Sequence, residues 1–557
     1  MSESVQVKNN QPSATHPAEP NSSTLSNYEF LIPLALFIIF LAVTLPGIAW
    51  GAPDIWHPDE IVYVAIKALS SNFDFDTNNY NHPHLPIYLM LGLGKLVMAF
   101  GQTDREVLIA ARTLSAVLVG LTIVLSYYIP RRMGYNVYIA GLSGLLVLVN
   151  SEMIHNGHFA HNDTSVTFFT TLTIFFLVLY KTKRHRGWLY ATFYSAGLAV
   201  SSKYSAVSLA MLPFAFYLWT VRGSIFKRPL RVLETFFIGS ALTYLGYATG
   251  TPKALTWMAF YMKRLIPALL YNSSYGAQPD SIKGFLGQYN TVLAGVGLPL
   301  FVLFTLSLVW AGYKIFINWR SGTLKNESDR ILLLLSIFII DLPIAVSYNY
   351  PIRFFLPLMP LLGILSALFI RDIYGLAVRT DKPVYAQAVG TVLSLTLLLS
   401  FGRVISTMLM FVHDSRIPAS EFIAALPAGT SLEATSYSPS IPLEHFDREH
   451  NYPIFFIKAP GQTVPTDKSY TFNQAEAGLL ERGTDYLVID SFTASRFNNQ
   501  YTCSSLQNEC DFFKKLATGK SDHYQLIAEF SYSLPPYLPQ VNVTFVNPTI
   551  RIYERMQ

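Results

Sequence analysis

The chain is poor in charge. Asp, Glu, Lys and Arg make up only 13% of its 557 residues, against about 25% in an ordinary soluble domain. That scarcity excludes a wholly water-facing globule. The net charge of +5 gives no reason to invoke nucleic acid, because the basic residues sit in short loops between apolar runs. Only two cysteines are present, Cys503 and Cys510. The N-terminus lacks the short apolar stretch and small-residue cleavage site of a signal peptide. No HExxH or comparable metal-ligand spacing occurs. Residues 1–27 are polar and rich in Ser, Asn and Pro, so they cannot bury a core and read as a disordered cytoplasmic tail.

What the chain has instead is apolar length. Hydrophobic residues make up 51% and aromatics 14%, a composition suited to membrane interiors and interfacial belts. After Glu29 the run FLIPLALFIIFLAVTLPGIAW carries no charge. About 20 such residues span a bilayer core, so it reads as an uncleaved transmembrane anchor. Ten more spans are expected near 106–129, 137–154, 164–180, 187–202, 204–221, 232–250, 289–313, 331–348, 354–370 and 384–412, about eleven in all. With a cytoplasmic N-terminus, the inside loops (130–136, 181–187, 222–231, 314–330, 371–383) hold 17 Lys and Arg. The longer outside loops hold 8. The positive-inside rule favours that orientation.

The fold class expected is therefore a polytopic α-helical membrane domain over 28–412, followed by an outer soluble α/β domain over 413–557. In the latter, TDYLVIDSF (484–492), HYQLIAEFSY (523–532) and TIRIYER (549–555) read as strands, and PASEFIAAL (418–426) as a short helix ending near Pro427. Both cysteines fall in this domain. An oxidising exterior allows them to pair; two free buried thiols are the alternative.

Ionisable residues gather on one face. GAPDIWHPDE places Asp54, His57, Asp59 and Glu60 just where the first span ends. Carboxylates at such a boundary are costly to desolvate and mark a functional site. HPDEIVYVAIKAL (57–69) has helical spacing with Pro58 at its start, and acidic residues in a first turn also suit the helix dipole. A plain capped interfacial helix is the simpler reading. In a helix, neighbours diverge by about 100°, so Asp59 is expected to face a cavity and Glu60 to support it. NYNHPHLPIYLMLGLGKLVMAF (79–100) reads as a juxtamembrane or re-entrant helix, tolerated where protein or water covers it. HNGHFAHNDTSV (155–166) adds His155, His158, His161 and Asp163. His57, His84, His158, His161 and Tyr350 are expected to form a polar, protonatable rim around a water-filled cavity. Zinc or manganese is conceivable there, but the spacings match no ligand motif. Lys203, in SSKYS, and Arg353, in YNYPIRFFLPLMP, read either as snorkelling or ion-paired residues or as a clamp for a lipid phosphate, which Arg suits by bidentate contact. KTKRHR (181–186) needs no role beyond topology.

The order of these features resembles a known family. An acidic pair after the first helix, then HPHL where relatives carry a KPPL-like motif, then an Asp opening a later span is similar to the polyprenyl-phosphate-sugar-dependent GT-C glycosyltransferases. These include the protein O-mannosyltransferases and the lipid A aminoarabinose transferase. GLAVSSKYSAVSLAMLP (197–213), RFFLPLMPLLGILSALF (353–369) and HDSRIPASEFIAALPAGTSLEATS (413–436) extend the likeness. The resemblance implies inverting transfer of a sugar from a polyprenyl phosphate to a hydroxyl on a protein, glycan or lipid, at the outer face of a bacterial inner membrane and without a cofactor. Asp59 matches the catalytic carboxylate, grouped with Glu60 and Asp163. Arg353, then Lys203, match the donor-phosphate cations, and His82 joins them only if protonated. Asp163 either orients the acceptor or holds a basic residue. The rival class is a secondary transporter or flippase, which places ionisable groups near the bilayer midplane. Apart from Asp341, the expected helix interiors read as nearly charge-free.

Overall fold

The structure is a computed structural model. It describes residues 29–71, 76–224, 226–227, 229–274, 285–347, 351–380, 382–442, 444–446, 475–481 and 483–556. The sequence-expected rim residue Tyr350 lies outside them, as does the tail over 1–27.

The chain opens with α1 (Leu31–Thr44), α2 (Val62–Leu69), α3 (Leu85–Ala99), α4 (Asp104–Met133), α5 (Val137–Leu148), α6 (Ser151–Gly157), α7 (Asn162–Lys183) and α8 (Arg186–Ser202). Long helices then run over Pro229–Thr249, Leu298–Arg320, Ser328–Ala345, Met359–Val378 and Pro383–Val412. Two apolar cores bind the bundle. One joins α1, α4 and α5 to Leu298–Arg320 and Met359–Val378 through Phe40, Val119, Leu146, Leu300 and Met359. The other joins α7, α8 and Ser328–Ala345 through Ile174, Leu177, Ala196 and Leu332. Helix α8 meets Pro229–Thr249 almost backbone to backbone. A Cβ on Gly246 would fall 2.2 Å from the Tyr194 carbonyl oxygen, the close approach that small residues permit between apolar helices.

Among the described residues, six helices are long and apolar enough to cross a membrane, or seven if the bent pair α5–α6 counts as one span. The sequence suggested about eleven. The difference lies partly in helix length, since α8 for example has 17 residues, and partly in how the helices are broken. Asn150 caps α6 by accepting from the Glu152 N–H at 3.1 Å, and the pair bends by 59°. Lys203 is extended (φ −154°, ψ 131°) and ends α8 before a 3₁₀ turn, Tyr204–Ala210. The first helix has only 14 residues.

Charges sort to the two ends of the bundle. At one end Glu29 pairs with Arg131, Lys181 with Asp329, and Arg330 with Glu327 and Asp372. All of these but Glu29 belong to loops, or helix ends beside them, that the sequence assigns to one side. At the other end lie Asp59, Asp163, Lys203 and Arg353.

Beyond Val412 the chain forms a small α/β unit. Its sheet has the order β1 (Leu432–Ala434), β2 (Tyr486–Asp490), β4 (Ile550–Arg555), β3 (Tyr524–Phe530). β1 and β2 are parallel and the other pairings antiparallel. The three sequence-expected strands are β2, β3 and β4, and the expected short helix is Arg416–Ala424. Cys503 and Cys510 are joined by a disulfide. A buried node fixes this unit to the bundle. Asp414 accepts from the Trp50 indole at 2.9 Å and from the Arg416 guanidinium at 2.9 and 2.8 Å.

Candidate active site

The site is built on the loop between α1 and α2. Gly51 (φ +71°) turns the chain there, and a Cβ would strike the Trp56 ring at 2.4 Å, so only glycine fits. The helix expected from Pro58 starts later, at Val62. Asp59 and Glu60 therefore lie in a turn closed by the Glu60 N–H to the His57 carbonyl oxygen (3.2 Å), not in a first helical turn.

The two neighbouring carboxylates have separate fates. Glu60, grouped with the catalytic residues by sequence, is fully buried and grips Arg112 of α4 by two hydrogen bonds of 2.8 Å. It also accepts from the Ala160 N–H at 2.9 Å. A carboxylate so occupied has no face left for substrate, and its role is to tie α4, the loop and the start of α7 together. Asp59 is open, with 31% of its side chain accessible, and receives the Arg353 Nη1 at 2.7 Å.

Arg353 is the second residue of the 3₁₀ turn Ile352–Leu358 and spans two acids, since its Nε lies 3.7 Å from Asp163 Oδ2. Asp163 sits in the first turn of α7 and is buried. It pairs with Lys203 and has the His161 Nδ1 2.7 Å away. Of the two roles left open for Asp163, holding a basic residue is the one its contacts display. The break at Lys203 explains the arrangement. Ending α8 there turns the ammonium onto Asp163 and over the Phe354 ring at 3.7 Å. Asp59, Arg353, Asp163 and Lys203 thus form one alternating chain of charge, drawn from four separate segments.

Three of the four expected rim histidines, His57, His84 and His158, are buried and not a protonatable rim. His57 is buried, stacked on Phe159 at 4.1 Å; burial holds its pKa well below the usual value, and its Nδ1 accepts the Asp59 backbone N–H at 3.2 Å. His158 lies 2.8 Å from the Ile154 carbonyl oxygen and 3.0 Å from that of Pro46 and stacks on Phe411 at 4.0 Å. Burial outweighs those two carbonyl oxygens, which favour the charged ring, and lowers its pKa to about 4. His84 is buried among Tyr80 and Tyr88 and is likewise pulled to about 4. Only His161 of that set touches the charged chain. His82 sits edge-on to His161, ring centroids 5.9 Å apart. Burial and the neighbouring cations lower its pKa to about 3, so at neutral pH it offers a neutral N–H and not the positive charge a phosphate clamp asks of it.

Sequence reasoning passes over Arg112, although a lone cation inside the apolar run 106–129 is the signal that finds it. It also passes over the contribution of the C-terminal unit. Phe545 meets His57 edge-on at 5.3 Å and stacks on Tyr437 at 5.2 Å, and the Tyr437 hydroxyl accepts from Arg496 at 2.9 Å. Among the described residues no group of three or more His, Cys, Asp or Glu is arranged to hold a metal ion.

A family profile described as dolichyl-phosphate-mannose-protein mannosyltransferase matches residues 98–268. No curated protein matches the chain. Among solved structures, apo ArnT from Cupriavidus metallidurans superposes with a TM-score of 0.51 at 14% identity, over 95% of this chain and 98% of that one. The same protein bound to undecaprenyl phosphate gives 0.50 at 13% identity, over 95% and 98%. The apo oligosaccharyltransferase of Archaeoglobus fulgidus gives 0.52 at 12% identity, over 94% of this chain and 76% of that one. At such identities the likeness establishes a shared fold. That fold is the polytopic helical domain with an appended α/β unit that the GT-C resemblance implied.

Proposed function

We propose that the protein is an inverting glycosyltransferase that moves a sugar from a polyprenyl-phosphate carrier to an acceptor hydroxyl. The observation that carries this reading is the Asp59–Arg353–Asp163–Lys203 array, with its one accessible carboxylate at the end of a membrane bundle. The family profile and the fold shared with ArnT, whose structure was determined with undecaprenyl phosphate bound, support it.

The chemistry needs few groups. Asp59 takes the proton of the acceptor hydroxyl as that oxygen attacks the anomeric carbon. The bond from that carbon to the phosphate oxygen breaks as the new one forms, its electron pair stays on the phosphate, and the configuration inverts. A phosphate leaves without a general acid, unlike the alkoxide of glycoside hydrolysis. It does need positive charge beside the departing oxygens, and Arg353 and Lys203 supply it. Asp163 holds both cations in place while they wait. A transporter would carry its charges at mid-membrane; here the array sits at the bundle end. We place the array and the C-terminal unit on the periplasmic face of a bacterial inner membrane, with the N-terminus cytoplasmic.

The test is to compare the surface glycoconjugates of cells with and without the gene by mass spectrometry, then to restore the gene as wild type or as Asp59→Asn. A mass difference of one glycosyl unit, restored by wild type and not by the variant, is expected. Identical spectra with and without the gene, or full restoration by the variant, refute the reading.

A further inference from the structure

The proposed base is gripped from the C-terminal unit, and the grip passes through a strained loop. Phe545 has φ +62° and Asn547 φ +55°. A bulky aromatic rarely enters that region, and such a conformation persists only where its surroundings over-determine it. They do so here. Asp414 accepts the Asn547 N–H at 2.6 Å, and Asn547 Oδ1 accepts the Ser415 N–H at 3.0 Å. The Asn547 side-chain amide donates to the Tyr532 carbonyl oxygen at 2.8 Å, and Arg416 donates to the Phe545 carbonyl oxygen at 3.0 Å. Asp414 and Arg416 are both fully buried. Arg416 also packs on the Trp50 and Trp56 rings, with centroids 5.0 and 4.5 Å away. The loop is therefore fixed to the segment that leads into Asp59.

The strain aims a ring. Phe545 meets His57 edge-on at 5.3 Å, and the same imidazole stacks on Phe159 at 4.1 Å. Packed against both rings, the imidazole presents its Nδ1 to the Asp59 N–H. That hydrogen bond requires an unprotonated Nδ1, which the apolar packing favours.

We propose that Phe545 and His57 are positioning residues for Asp59: the C-terminal unit sets the backbone of the proposed base through a Phe545–His57 clamp, so that the aim of the base comes from that unit. This rests on the glycosyl-transfer reading for its consequence but not for its geometry, and the experiment separates the two.

The experiment uses the full-length protein in detergent, with variants Phe545→Ala, Phe545→Leu, His57→Ala and His57→Asn. Hydrogen exchange is followed in the peptide holding Asp59, with a peptide from β2 as folding control. Both Phe545 variants and His57→Ala are expected to speed exchange of the Asp59 peptide while β2 is unchanged. His57→Asn, whose side-chain oxygen still accepts from the N–H, is expected to restore protection. In transfer assays the loss is expected in kcat, roughly tenfold to a hundredfold, the scale of a misplacement near 1 Å, with donor KM unchanged. Combining Phe545→Ala with His57→Ala is expected to cost no more than His57→Ala alone, since coupled residues are not additive. Unchanged exchange in the Phe545 variants overturns the clamp. So do losses that multiply in the double variant, or a loss confined to acceptor KM. Absence of transfer by the wild-type protein overturns the proposed function instead, whatever the exchange shows.

Discussion

Asp59 and Glu60 are adjacent and chemically near-identical, yet the structure assigns them opposite sensitivities. Replace Glu60 by Gln. The volume is kept, but Arg112 loses a partner that holds it through two 2.8 Å hydrogen bonds, with neither side chain exposed. Its remaining contacts are the Ile48 carbonyl oxygen at 3.2 Å, that of Trp50, and the face of the Trp50 ring. None of these carries a countercharge. Leaving a buried cation unpaired costs about 3–5 kcal/mol, a large part of the roughly 5–15 kcal/mol that holds a typical fold. Asp59→Asn breaks a pair in which Asp59 stays 31% and Arg353 21% accessible. Exposed pairs contribute about 0–1 kcal/mol, so the fold should barely notice. Thermal unfolding of the two purified variants, read by tryptophan fluorescence, together with the transfer rate per folded molecule, separates the roles. Glu60→Gln is expected to melt well below wild type while its folded fraction still transfers sugar. Asp59→Asn is expected to melt with wild type and transfer none. The double variant Glu60→Leu/Arg112→Met, which removes both charges, is expected to be more stable than Glu60→Gln alone. A Glu60→Gln protein that melts with wild type and has lost transfer would refute the assignment and put Glu60 in the chemistry.

Arg353→Ala is expected to raise the KM for the lipid-linked donor about 10- to 100-fold, the worth of a charge-assisted hydrogen bond, and an unchanged donor KM would argue against the phosphate role. Chelator is expected to leave transfer intact, because Lys203 and Arg353 already neutralise Asp163; a loss reversed by added divalent metal would overturn that. Stability should fall steeply with acid. The folded pKa of His158 is pushed down to about 4 by burial, below its unfolded value near 6.5. The unfolded chain therefore takes the proton first. The contribution of this group is intact above about pH 6.5 and is lost progressively down to about pH 4, up to about 3 kcal/mol. His84 and His82 act in the same direction. Unfolding midpoints that stay flat between pH 7 and pH 4.5 would contradict the buried, neutral state of these rings.

What was legible in the sequence follows from what is costly there. Asp59, Asp163, Lys203 and Arg353 stand out because charge beside apolar spans is expensive to keep, and the structure brings all four together. The strands over 484–492, 523–532 and 549–555 were legible from alternation and β-branched content. The break at Lys203, between 187–202 and 204–221, was legible; the bend at Asn150 was not, because the run 137–154 that holds it remains apolar on average. The separate fates of Asp59 and Glu60 were not legible either. The periodicity argument assumed a helix from Pro58, whereas the deciding partner, Arg112, lies on another helix. The histidines misled for a related reason. His57 is covered by Phe159 and His158 by Phe411, and nothing at HNGHFAHND announces that Phe411, far down the chain, or His57, on another loop, packs there. Phe545 is the extreme case, since nothing in VNVTFVNP requires a left-handed phenylalanine; Asp414 and Arg416 impose it from across the fold.

These successes and failures have one physical source. A base at a membrane edge needs two different kinds of support. Its charge has to be balanced, and the balancing groups must themselves be charged, so they are conspicuous against an apolar background wherever they fall in the chain. Its atoms also have to be aimed, and aiming is done by packing: rings against rings, a backbone N–H against an imidazole nitrogen, a loop held in an unfavourable turn. Aromatic residues make up 14% of this chain, so a ring that aims the base carries no mark distinguishing it from one that fills space. Arg353 can therefore be read from the sequence and Phe545 cannot, although by the geometry here both act on the same carboxylate, one through its charge and the other through its position.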